Sequence, residues 1–135
     1  MAAAVLCLSL VGCAGVEGTP TAATSTLSGP DPARCEEVPQ AEVAQIDSSF
    51  LDGQRLIGAR GVQDGAFFYI AGTVLTRDGT MDAPGAVWVV HQGSVYSISD
   101  AAASRSYMPD GRGILAANPY SEAGLLVQDC VTVGR

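Results

Sequence analysis

The sequence predicts an α+β domain: a meander of about four antiparallel strands, an amino-terminal helix packed on it, and a short carboxy-terminal helix or strand. Three observations lead there. Between residues 55 and 99, four apolar runs are separated by short Gly-containing turns, which suit antiparallel neighbours because parallel strands need long crossovers. Ahead of them, Val43, Ile46 and Phe50 recur at helical spacing. In residues 66–76 both alternating sets are apolar or small, Phe67, Tyr69 and Leu75 against Phe68, Ile70 and Val74, as in a strand covered on both sides.

The elements follow in chain order. Pro39 suits the first turn of a helix, Glu36, Glu37, Glu42 and Asp47 fall at its amino end or on its outer face, and Gly53 stops it. Strands are expected over 55–62, 66–76, 86–92 and 94–99, bounded by Asp64-Gly65, Asp78-Gly79, Pro84-Gly85 and Gln92-Gly93. Ser99-Asp100 reads as a cap for a short helix over 101–106. Asn118-Pro119 opens a last helix with Tyr120, Ala123, Gly124, Val127 and Val131 on one face, although Leu125, Val127 and Val131 also satisfy strand alternation.

Composition narrows the function classes. The 135 residues are 47% hydrophobic and 16% charged, which fits one small folded domain rather than a disordered chain. The formal charge of -7 arises from 14 carboxylates against seven Arg with no Lys, and every carboxylate follows Cys13. Such a surface repels phosphate backbones and anionic headgroups, so no nucleic-acid partner is expected. The lack of Lys also excludes Schiff-base chemistry, P-loops and Ser-x-x-Lys acylation.

The amino-terminal stretch Ala-Ala-Ala-Val-Leu-Cys-Leu-Ser-Leu-Val, residues 2–11, is uncharged and apolar or small. As a helix rising about 1.5 Å per residue it reaches about halfway across a 30 Å hydrocarbon core, so it fits an export signal rather than a membrane span. It closes in Leu10-Val11-Gly12-Cys13, which resembles the lipobox of bacterial lipoproteins. That resemblance implies a diacylglyceryl group on the Cys13 thiol and cleavage of the bond before it. Residues 1–12 are then the signal peptide, 13–34 the lipidated Cys and a flexible linker, and 35–135 one globular domain. No Lys or Arg precedes the apolar run, so the expected explanation is a translation start upstream of Met1. A cleaved but unlipidated signal, or the stub of a cytosolic protein, is the alternative.

The linker, from Ala14 to Arg34, is rich in Thr, Ser, Gly, Ala and Pro, and as a coil it spans roughly 25 Å on average. On the lipoprotein reading Cys7 leaves with the signal and Cys13 takes the lipid, leaving Cys35 and Cys130 to pair in an oxidising compartment. Neither lies in a Cys-x-x-Cys, which speaks against a redox or metal role.

Chemistry-bearing motifs are sparse. His91 is the single histidine, so a hydrolase would have to build on it with Asp100 or a nearby Ser, and no Gly-x-Ser-x-Gly elbow is present. The run from Asp78 to Asp82 lacks the Asp-x-Asp-x-Asp-Gly pattern of a calcium loop and reads as a turn, as does Asp110-Gly-Arg-Gly113. Trp88, Tyr96, Tyr107 and Tyr120 form either an aromatic patch for a partner or sugar, or part of the core. Trp88, His91 and Tyr96 are the candidate binding surface, with no cofactor and no metal expected.

Together these features point to a noncatalytic, membrane-anchored interaction domain that meets the membrane through the lipid on Cys13 and engages an envelope protein or ligand. In plan it is similar to the small lipoproteins of actinobacteria and their phages, and exclusion of superinfecting phage is the implied role if a phage encodes it. An envelope hydrolase using His91 and a small-ligand carrier with a pocket between helix and sheet are the alternatives.

Overall fold

The computed structural model describes residues 31–133. Cys13, the apolar run and most of the linker lie outside the described residues. A 3-10 turn, Pro32–Arg34, leads into strand β1, Glu36–Glu37, and helix α1, Gln40–Ser49. Strands β2, Arg55–Asp64, β3, Phe67–Leu75, β4, Met81–His91, and β5, Ser94–Ser97, follow. Three helices close the chain: α2, Asp100–Ala103, α3, Gly111–Ile114, and α4, Glu122–Val133.

The strands form one five-stranded sheet in sequence order, each pair antiparallel. The class and the meander agree with expectation, but the sheet has one strand more. Glu36 stands opposite Gly61 and Glu37 opposite Arg60. Two acidic residues carry no apolar alternation, so nothing local announces this strand. The Cys35–Cys130 disulfide next to it, with Cα atoms 5.7 Å apart, holds that segment against α4.

The expected turn at Pro84-Gly85 is instead a bulge inside β4. Gly72 pairs with Ala86 and Val74 with Ala83, so Thr73 faces two residues. Gly85 supplies a φ of +67°, and a bulge is one of the few places where a sheet accommodates proline. The β4–β5 hairpin turns through Gln92 and Gly93, both at positive φ, as the twist of a two-residue hairpin requires.

Helix α1 begins one residue after Pro39, whose carbonyl accepts the N–H groups of Glu42 and Val43. It stops short of Gly53 because Phe50 turns extended, bridges Ser106 and lays its ring edge-on to Trp88, centroids 6.1 Å apart. Ser99 caps α2 by accepting the Ala102 N–H, as the sequence suggested. Asp110-Gly-Arg-Gly113, read as a turn, opens the one-turn helix α3, with the Asp110 carboxylate capping it through the Arg112 N–H.

Period-two alternation then divides the core. Ile70, Val74 and Trp88 on one sheet face pack with Ile46 from α1, Phe50 just after it and Ala102 from α2. Tyr69, Val87 and Val89 on the other pack with Ala123, Val127 and Val131 from α4. The carboxy-terminal segment is thus helical, and its 12 residues lie across β2, β3 and β4. Helices on both faces explain why β3 is apolar on both sides.

Candidate functional site

The residues expected to form one binding surface are separated by the sheet. Trp88 is fully buried and faces α1, so its assignment to a surface is corrected: its cross-strand partners Ile70 and Ser97 are also fully buried. Its indole Nε1 has no hydrogen-bond partner. Tyr96 lies half-buried on the opposite face beside Val89, its Cβ against Gly111 of α3. His91, also half-buried, packs its ring 5.0 Å from that of Phe67, with Nδ1 3.2 Å from the Ala66 carbonyl oxygen. Strand alternation puts Trp88 on one face and Val89 and His91 on the other.

His91 and Asp100 are likewise not brought together. Ser99, next to Asp100, bonds the Val87 N–H, and His91 lies four residues along β4, roughly 13 Å at strand rise. Asp100 pairs with Arg112 Nη1 at 2.6 Å. Asp78 and Asp82 are also committed elsewhere. Asp78 accepts the Thr76 hydroxyl and the Thr80 N–H, which hold its carboxyl below the usual range, and Arg105 does the same to Asp82 from 2.8 Å. Among the described residues no group of three or more His, Cys, Asp or Glu is placed to hold a metal ion.

Among the described residues, two clefts offer places for a ligand. The first, of about 360 Å³, lies where β2 leaves its register between Ile57 and Arg60 and where α4 nears its end. Ile57, Val38 and Val131 give it apolar walls, with the Arg60 and Glu37 side chains and the buried Cys130 at its margin.

The second, of about 330 Å³, is built by the loop that joins α2 to α4. Ser99 and Asp100 line one wall, Arg112 the next, and residues 116–120 the third. Arg112 organises it. Its Nε and Nη2 bond Asp110 at 2.9 and 2.6 Å while Nη1 reaches Asp100, which pushes the Asp110 carboxyl down to about 2 and the guanidinium above its ordinary value. Ala116 holds a left-handed φ of +57°, uncommon for a residue with a side chain, and so turns the chain toward Asn118. Tyr120, 75% exposed, stands at the lip. Sequence reasoning named Asp100, Asn118 and Tyr120 in other roles and read Arg112 only as part of a turn. The Asp-x-Arg spacing that locks Arg112 was its one local signal.

Fold and clefts together define a small disulfide-closed α+β domain, a five-stranded meander with helices on both faces. No protein-family model matches the chain, and no curated protein and no solved structure matches it either.

Proposed function

We propose that this chain is an exported lipoprotein, held at the outer side of the cell membrane by a lipid on Cys13, whose domain is a noncatalytic binding module. The observation that carries the reading is the Cys35–Cys130 disulfide, which bridges 95 residues and ties the strand at one end of the domain to the helix at the other. Such a bridge persists in oxidising compartments outside the cytosol, the destination that the apolar run and the lipobox-like Leu10-Val11-Gly12-Cys13 specify. What supports a binding role is where the polar side chains go: His91 lies on Phe67, and the acidic residues at 78 and 82 are engaged by a turn and by Arg105.

Fractionation of cells expressing the chain and its Cys13→Ser variant tests the reading. The parent is expected in the detergent-soluble membrane fraction, labelled by an alkyne fatty acid, and the variant unlabelled and released from the membrane. Equal fractionation of both, with no label on the parent, would overturn it.

A further inference from the structure

We infer that the cleft between α2, α3 and the 116–120 segment is a binding site for a short neutral saccharide. The inference rests on the binding-module reading above but not on the lipid anchor.

The chemistry of the lining selects the ligand. Arg112 is consumed by Asp100 and Asp110, and the three charges sum to -1, so the cleft repels phosphate and carboxylate. The same guanidinium holds both Asp110 oxygens and one of Asp100, which leaves a cation a single free carboxylate oxygen. Ser99, Asp100, Arg112 and Asn118 share the walls with Ala116, Ala117 and Pro119, so a purely apolar ligand would leave the polar half of the lining unpaired. A neutral polyol fits what is left, because each hydroxyl donates and accepts.

The unspent hydrogen-bonding capacity has that mixed character. Ser99 Oγ already accepts the N–H groups of Val87 and Ala102, at 2.9 and 3.2 Å, which leaves its proton to donate. Asn118 Oδ1 accepts the Tyr120 N–H at 2.8 Å, which leaves its amide NH₂. Asp100 engages Arg112 through Oδ1, so Oδ2 stays open as an acceptor on a side chain 93% exposed. Two donors and an acceptor thus belong to residues that line the cleft together with Tyr120, whose exposed ring offers a π-face suited to the C–H face of a pyranose. The Arg112 fork and the Asn118 turn hold these groups before a ligand arrives, which lowers the ordering cost of binding. A volume of about 330 Å³ is at the small end of ligand sites, which run to roughly 1,000 Å³.

Amide-resolved NMR titration of the full chain with N,N′,N″-triacetylchitotriose, maltotriose and β-1,4-galactotriose tests this, with sodium phosphate as the anionic control. At least one saccharide is expected to shift the amides of Ser99, Asp100, Asn118 and Tyr120 saturably, and phosphate to leave them in place. Tyr120→Ala and Asp100→Asn, both at exposed side chains, are expected to weaken that binding about tenfold or more while the remaining spectrum is preserved. Silence of all three saccharides at these amides, a saturable phosphate response there, or unchanged binding by both variants would overturn the assignment. Membrane fractionation of the Cys13→Ser variant reads the anchor separately, so the two failures are distinguishable.

Discussion

Asp47 of α1 accepts the backbone N–H of Leu56 at 2.7 Å, so a helix carboxylate closes a donor that β1, only two residues long, does not reach. The contact joins the first helix to the edge of the sheet over the core that Ile46 and Leu56 share. Asp47→Ala leaves that donor without its carboxylate and is expected to cost about 1–2 kcal/mol in urea unfolding. Asp47→Asn keeps an acceptor there and is expected to lose less. Equal stability of the Ala variant and the parent would contradict the role.

The disulfide acts on the unfolded chain. Closing a loop of 95 residues is expected to stabilise the domain by about 4–5 kcal/mol on the chain-entropy model. The check is urea unfolding of the parent against the Cys35→Ser, Cys130→Ser double variant. A difference under about 1 kcal/mol would mean that the other contacts of β1 and α4 hold the ends together in the unfolded chain as well.

Gly124 and Gly113 are expected to respond oppositely to alanine. A Cβ on Gly124 would lie 2.5 Å from the Pro119 carbonyl oxygen, a backbone atom that cannot step aside, so Gly124→Ala is expected to destabilise by about 1–3 kcal/mol. At Gly113, in α3, a Cβ meets nothing within 4 Å, and Gly113→Ala is expected to gain about 0.4–1 kcal/mol by restricting the unfolded chain. Thermal or urea unfolding of both variants decides it.

Acid should weaken the loop around the second cleft. Arg112 lowers the Asp110 carboxyl from 3.8 to about 2, so the folded state holds that proton less tightly than the unfolded chain. The stabilisation is present above about pH 4 and is lost as pH falls toward 2, and Arg105 acts on Asp82 in the same direction. The Asp110–Arg112 pair is substantially exposed and the Asp82–Arg105 pair about a quarter exposed, so the effect is expected to be small and to shrink with salt, more for the first pair than for the second. Asp110→Asn is expected to flatten the low-pH limb of stability against pH, and an unchanged limb would contradict the assignment.

Much of the fold was legible because its signals are local. Gln92-Gly93 marked a hairpin that forms, Ser99 a cap that forms, and the two apolar sets of β3 a strand buried on both faces. The missed features depend on distant partners or on one exceptional backbone angle. β1 exists through its register with Arg60 and Gly61, and Pro84-Gly85 becomes a bulge because β3 runs alongside it. The aromatic residues show the same limit. Composition marks Trp88 and Tyr120 as equals, yet alternation buries one beneath Phe50 while Tyr120 lies exposed just ahead of α4. Arg112 was illegible as part of a site because Asp100, one of its two partners, is 12 residues away.

Lipidation of Cys13 is the claim on which the proposed location turns, and intact-mass and amino-terminal analysis of the chain purified from membranes, expressed from its native gene, measures it directly. The expected result is a mature chain beginning at Cys13 with the mass of a diacylglyceryl group on that residue and no free thiol at Cys35 or Cys130. A chain retaining residues 1–12, or one with an unmodified Cys13 thiol, would contradict it.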